Sequence, residues 1–161
     1  MPVKIRKVKE TDNPLLSKMI RKVFEEHDAP KKGTVYSDPT TDFLYESFQT
    51  EKSILWVAEE NGKILGCCGV YPTTGLPKQC VELVKFYLPA ESRGKGIGRI
   101  LMEKSIYAAK EFGYSEIYIE SLPQFSKAVN MYKKQGFIKL NNPLGESGHT
   151  SCNIWMLKSL K

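Results

Sequence analysis

CVELVKFYLPAESRGKGIGRILMEKS, from Cys80 to Ser105, is the stretch on which the reading of the chain turns. Its first part, Cys80 to Leu88, is largely apolar on both alternating faces, which predicts a strand in the middle of a sheet. Pro89 ends that strand. Arg93-Gly94-Lys95-Gly96-Ile97-Gly98 then supplies a loop with three glycines at alternate positions, and a helix follows from about Gly96 to Phe112, ended by Gly113. Such a loop turns tightly and lets a ligand approach the main chain. Its free N–H groups, together with a helix N-terminus, form an anion site, to which Arg93, Lys95 and Arg99 add positive charge. A Walker A loop is excluded: Pro89 stands where its first glycine belongs and Gly96 where its Ser or Thr belongs. A dinucleotide fingerprint from Gly94 is excluded as well, because Arg99 occupies the place of the third glycine. What remains is a pyrophosphate-like anion at a strand–loop–helix junction, or else a flexible glycine-rich turn.

Outward from this stretch the pattern is regular. Val3, Ile5 and Val8 fit a short strand. Asn13 and Pro14 open a helix as cap and first residue, with Leu15, Leu16, Met19, Ile20, Val23 and Phe24 at helical spacing. A polar loop over 29–38 precedes a second helix from about Thr41. Ile54–Ala58 and Ile64–Tyr71 flank Asn61-Gly62, a strong hairpin signal. After the central stretch, Ile117–Ile119 reads as a strand. Phe125, Ala128, Val129 and Tyr132 form one face of a helix stopped by Gly136. Phe137–Leu140 and Ile154–Leu157 read as two further strands. The order β-α-α-β-β-β-α-β-α-β-β implies a mixed sheet with helices on both faces.

The chain has 161 residues, 41% of them apolar and 26% charged, which suits one domain over 1–161 able to bury a core without disulfides or metal. The longest uncharged run, Ile64 to Pro77, is 14 residues and broken by Gly66, Gly69, Pro72 and Gly75, too short to span a bilayer. MPVKIRKVKE lacks the apolar core of a signal peptide, and Cys67, Cys68, Cys80 and Cys152 lack metal-ligand spacing; buried free thiols in a cytoplasmic protein are expected. Cys67 and Cys68, adjacent on a strand, should face opposite sides. No metal is expected. The net charge of +6 (pI near 9.1) is uneven. Residues 93–110 carry five cations against Glu103, a net of +4, whereas residues 36–60 carry six carboxylates against Lys52, a net of −5. Taken as a ligand-facing patch, the acidic stretch predicts a cationic substrate.

Arg93 to Gly98, in the pattern Arg-x-x-Gly-x-Gly, resembles the acetyl-CoA signature of the GNAT superfamily of N-acetyltransferases. Glu82 to Pro89 resembles that family's fourth strand. Ala128-Val129-Asn130-Met131-Tyr132-Lys133-Lys134-Gln135-Gly136-Phe137 resembles its later Ala-x-x-x-Tyr-x-x-x-Gly-Phe helix end. The element order matches too, so the resemblance covers nearly the whole chain. Phe125 departs from the pattern, standing where many members have Asn. The resemblance implies a GNAT-like α/β fold, a mixed, mostly antiparallel central sheet flanked by helices on both faces. It implies an enzyme that transfers acetyl from acetyl-CoA to a primary amine of a small molecule or peptide, by direct attack in a ternary complex. It also makes a homodimer one expected assembly.

Carried onto these residues, the resemblance assigns the cofactor to Phe86, Tyr87 and Leu88 along the strand and to Arg93, Gly94, Lys95, Gly96, Ile97, Gly98 and Arg99 at the loop. The pantetheine arm would lie on the strand's main chain like an added strand, with the Phe86 N–H holding the thioester carbonyl oxygen. Tyr132 would protonate the leaving thiolate; its alternative is a core tyrosine. Glu82 would serve as base for an ammonium that titrates near about 10.4. It lies four residues before Phe86, about 13 Å along a straight strand, so it needs a water or a bend; its alternative is a solvated strand-start glutamate. His149, in a polar loop before the last strand, is read as a surface-loop histidine, its alternative being a residue that lines the amine site; His27 is read as a surface residue. Two competing readings are a CoA-binding sensor or interaction module of the same fold without turnover, and a nucleic-acid module prompted by the charge. The second is disfavoured, because the aromatics fall mostly at core spacing.

Overall fold

The computed structural model describes residues 2–161. Its strands are β1 (Lys4–Lys7), β2 (Ile54–Glu60), β3 (Lys63–Tyr71), β4 (Cys80–Tyr87), β5 (Glu116–Ser121), β6 (Ile138–Lys139) and β7 (Ile154–Ser159). Its helices are α1 (Asn13–Glu26), a single turn α2 (Leu44–Ser47), α3 (Ile97–Glu111) and α4 (Ser126–Lys134). The strands form one sheet in the order β1-β2-β3-β4-β5-β7-β6. Every neighbouring pair is antiparallel except β4 and β5. This is the expected mixed sheet, with β4 at its centre.

Each face is covered by helix, and the two cores follow the strand alternation. Leu101, Met102, Ile106 and Ala109 of α3 pack with Val129 and Tyr132 of α4 on Cys68, Val70, Val81 and Leu83. Leu16, Ile20 and Phe24 of α1 pack on Leu55, Val57 and Cys67 of the opposite face. Cys67 and Cys68 therefore do face opposite sides, both fully buried. A fully buried side chain such as Leu101 contributes about 1.5–3 kcal/mol, and its truncation to alanine costs about 2–5.

Three local expectations are corrected. Asn13 does not cap α1; its Oδ1 accepts from the Tyr45 N–H and its Nδ2 donates to Glu46, so it ties α2 to α1 instead. Asp12 precedes the helix, its carboxylate held by Arg6 and by the Lys9 N–H. Leu15 points to solvent, and the second helix shrinks to 3-10 turns at 35–37 and 39–42 before α2. Asp38 caps the second of these turns through the Thr40 N–H, and that short polar segment forms part of the site rather than of the core.

Two distortions of β4 place the site. Its parallel pairing with β5 ends at Glu82 opposite Tyr118, although β5 runs on to Ser121. The edge of β4 beyond Glu82 is thus open on that side. On the other side, Gly69 faces Val84 and Cys67 faces Tyr87, so β4 carries one extra residue, a bulge. Lys85, at φ +57, is the residue that absorbs it.

Candidate active site

The loop after β4 leads into α3 through Gly94 and Gly96, at φ +77 and +81. A Cβ at either position would meet nothing within 4 Å, so glycine is needed there for its backbone conformation and the space above stays open. The N–H groups of Gly94 through Arg99 find no acceptor among the described residues. Six consecutive unpaired donors at the start of a helix make a cradle for an anion. The buried Ser92 Oγ, also without a partner, lines the same cleft. This cleft, about 360 Å³, is bounded by α1, the end of β4, the loop and α4. Phe86, Tyr87, Leu88, Arg93, Gly94, Gly96, Ile97, Gly98 and Arg99 all line it; the side chain of Lys95 does not. A Cβ on Gly98 would press at 3.3 Å on the Phe86 ring, so glycine there lets α3 approach β4 closely.

The cations differ from expectation. Arg93 spends its guanidinium on the Leu88 carbonyl, at 3.1 Å from Nε and 2.9 Å from Nη2, and on Glu26 at 3.0 Å. It fastens the loop to the strand end and shapes the cleft. Arg99 sits 3.4 Å from Glu103 on the exposed face of α3. The positive character of the cradle comes mainly from the main chain.

At its inner end the cleft meets a chamber of about 60 Å³, with Phe86, Tyr87, Phe125 and Ala128 on the walls of both. Tyr132 stands on the chamber, its ring 6.0 Å from that of Phe86 and 5.8 Å from that of Phe137. The ring is buried, but the hydroxyl has no hydrogen-bond partner among the described residues and opens onto the chamber. Burial pushes its pKa above the ordinary value, so it stays protonated. Phe125 packs edge-on against Phe24 at 5.2 Å and faces His27 at 5.2 Å, closing the chamber toward α1. His27 lines the larger cleft with its Nδ1 3.0 Å from the Val23 carbonyl, and is not a free surface histidine.

Beyond the chamber lies an outer cavity of about 220 Å³. Glu82, Val84, Lys85 and His149 line both. Glu82 is 5% exposed, which overturns its reading as a solvated strand-start residue. Burial raises its pKa to about 7, with the Glu120 charge adding to the rise and a hydrogen bond from Thr73 opposing it. The bend at Lys85 brings Glu82 and Phe86, four residues apart, onto one chamber. His149 is likewise no surface residue: its Nε2 lies 2.9 Å from Asp38 Oδ2 across 111 residues of chain. Burial pushes Asp38 up, and the bonds from His149 and Thr40 more than offset this, leaving its carboxyl below the ordinary value. An ionised Asp38 accepts, so Nε2 carries the hydrogen.

The acidic stretch does not form one patch on this cavity. Asp42 pairs with Arg21 at 2.6 Å, Glu59 pairs with Arg6, Glu46 accepts from Asn13, and of the six carboxylates only Asp38 lines the cavity. Sequence reasoning missed Lys85 and Glu120. Glu120, on β5, accepts from the Tyr118 and Ser147 hydroxyls at the chamber wall. Lys85 had a visible signal: with Glu82 it is one of two charges in an otherwise apolar central strand. Among the described residues, no cluster of His, Cys, Asp and Glu suits a metal ion, and no helix is long and apolar enough to cross a membrane.

The fold has counterparts among solved structures. A structure titled as an acetyltransferase of GNAT family from Staphylococcus aureus Mu50 superposes with a TM-score of 0.83 at 20% identity, covering 99% of this chain and 100% of that one. The paiA N-acetyltransferase of Thermoplasma acidophilum, in complex with coenzyme A, superposes with a TM-score of 0.78 at 20% identity, covering 99% of each chain. In sequence, the chain is 32% identical to the uncharacterized N-acetyltransferase YjgM of Escherichia coli (strain K12) over 157 residues, 97% of this chain and 94% of that protein. It spans about half the length of several further curated N-acetyltransferase relatives. A model of the acetyltransferase (GNAT) family matches residues 20–137, from α1 through the cradle and α4 to Phe137; the chain belongs to that family.

Proposed function

We propose that this chain transfers acetyl from acetyl-CoA to a primary amine by direct attack, with both substrates bound at once. The observation that carries the reading is the meeting of two cavities at one small chamber, whose walls hold the Phe86 main chain, the free Tyr132 hydroxyl and Glu82. The residues present suit acetyl-CoA: Gly94, Gly96, Ile97, Gly98 and Arg99, all with unpaired N–H donors, and Ser92 with its orphaned hydroxyl line the cleft where a pyrophosphate would sit. When bound, acetyl-CoA supplies an activated acyl thioester. The open edge of β4 at Phe86 and Tyr87, and the Leu88 N–H just beyond it, offer main-chain groups to the pantetheine amides; the Leu88 carbonyl is already held by Arg93.

The chain's own residues then have separable tasks. The Phe86 N–H holds the thioester carbonyl oxygen; Lys85 and Phe86 have no register partner in the sheet, which leaves that segment available. Glu82, with a pKa of about 7, takes the proton of the incoming ammonium, directly or through a water. Tyr132 donates its proton to the departing sulfur. Glu82 takes one proton as the ammonium becomes the attacking amine; as the N–C bond forms and the C–S bond breaks, Tyr132 gives its proton to the sulfur and the second nitrogen proton restores the Tyr132 hydroxyl, leaving an amide, a free thiol and a protonated Glu82 that returns its proton to solvent. A sensor without turnover has no use for an unpartnered phenol and a buried carboxylate on one chamber, which favours the enzyme reading. The test is an amine panel with acetyl-CoA, following thiol release. Acetylation of at least one amine, lost in Tyr132→Phe, is expected; tight acetyl-CoA binding without transfer to any amine would favour the sensor.

A further inference from the structure

We propose that Lys85 receives a carboxylate of the acceptor, so that the amine acetylated at this site belongs to an amino acid. This names the substrate class of the site above and rests on that reading.

The placement of Lys85 is unusual. In a regular strand Val84 and Lys85 would face opposite sides, and Lys85 would enter the α3 core beside Leu83. The bulge turns both toward the outer cavity and returns Phe86 to the core. A lysine at φ +57 holds a left-handed conformation that side-chain-bearing residues adopt only under strain. The fold therefore puts a cation on this wall at some cost.

Lys85 then finds no partner. No carboxylate lies within 4.0 Å of its ammonium, and it donates no hydrogen bond among the described residues. The neighbouring carboxylates are engaged elsewhere: Asp38 by His149 and Thr40, Glu82 by Thr73, Glu120 by Tyr118 and Ser147. It is also the one Lys or Arg on either the chamber or the outer cavity. A half-buried, unpaired ammonium is costly, and an anionic group on the ligand relieves it.

Position limits the ligand further. Lys85 adjoins Phe86, where the acyl group is held, and lines the chamber as well as the outer cavity, so an anion close to the attacking nitrogen is within its reach. A zwitterion fits the charges: its ammonium meets Glu82, its carboxylate meets Lys85. Leu44, Phe48 and Tyr71 then give the rest of the outer cavity a partly apolar lining for a side chain.

The test compares amino acids with their decarboxylated amines: L-phenylalanine with 2-phenylethylamine, L-leucine with 3-methylbutylamine, L-methionine with 3-(methylthio)propylamine. In the parent, the better amino acid should exceed its amine in kcat/KM by at least about 20-fold. The ratio should collapse toward one in Lys85→Met and persist in Lys85→Arg. Calorimetry with 3-phenylpropanoate, which has the carboxylate without the amine, should show binding to the parent and none to a folded Lys85→Met. Equal or better turnover of the amines, no turnover of any pair, or a ratio that survives Lys85→Met would overturn the proposal. Acetyl-CoA binding on the same sample, with turnover of the broader amine panel, reports separately on the acetyltransferase reading.

Discussion

The two cavities that meet at the chamber are built in opposite ways. The cofactor-side cleft presents main-chain N–H groups from six consecutive residues, Gly94 to Arg99, set by two left-handed glycines and a helix start. The acceptor side is assembled from segments far apart in sequence and held by side chains. His149 bonds Asp38 across 111 residues, Ser147 bonds Glu120, and the Glu146 N–H reaches the Thr74 carbonyl at 2.7 Å. Ser151 closes onto the 31–33 loop through the carbonyls of Lys32 and Gly33. A main-chain site is indifferent to most side-chain changes and sensitive to backbone geometry. A side-chain site is the reverse, so choice of amine can change there while the donor stays the same.

The largest effect that would expose this contrast comes from Gly96→Glu. The substitution forces a residue with a Cβ into φ +81 and places a carboxylate in the anion cradle, so acetyl-CoA affinity should fall by at least about 100-fold by calorimetry. Retained affinity in a folded variant would break the cradle assignment. Tyr132→Phe keeps the ring packed on Phe86 and removes only the O–H; kcat should drop about 100-fold with acetyl-CoA affinity intact. A tyrosine kept only for packing, whose hydroxyl bonds nothing, would leave kcat within twofold and stability unchanged or slightly raised.

Glu82→Gln should lower kcat/KM about 10- to 100-fold at pH 8. With its pKa raised to about 7 by burial, Glu82 in the proposed role of base requires that activity of the parent rise through pH 7, and that limb should vanish in the variant. Stability moves the other way. Burial raises the folded pKa above the ordinary value of 4.5, so the contribution of this group is fully present below pH 4.5 and is lost as pH rises through 7. Glu82→Gln should therefore be more stable to unfolding than the parent above pH 7, by up to about 3 kcal/mol, and match it in acid. The smallest effect sharpens the contrast most. Lys95→Ala should change acetyl-CoA affinity by less than about threefold, since its side chain stands outside the cleft. A loss comparable to Gly96→Glu would mean that side-chain charge, not the main chain, holds the anion.

The same contrast explains what could be read in advance. The strand–loop–helix over 80–105 and the end of α4 are local, so residue type and spacing expressed them directly, and the element order followed. The acceptor cavity was not legible, because Asp38 and His149 become neighbours only when the 29–43 and 145–153 loops close over the sheet. Glu82 and Lys85, three residues apart, would face opposite sides of a regular strand; the bulge that unites them has no signature in CVELVKFYL. Asn13 misled for the same reason: its partner lay in α2, not in its own helix.

The central claim is that acetyl passes directly between two ligands held in adjoining cavities. Lys85 and Cys152 both line the chamber, so a route through an acetylated side chain is the physical alternative. Initial rates measured over a grid of acetyl-CoA and amine concentrations decide between them. Direct transfer predicts reciprocal plots that intersect, with no label retained on the protein after incubation with radiolabelled acetyl-CoA alone. Parallel lines, with stoichiometric label on Cys152 or Lys85 that chases onto the amine, would contradict it.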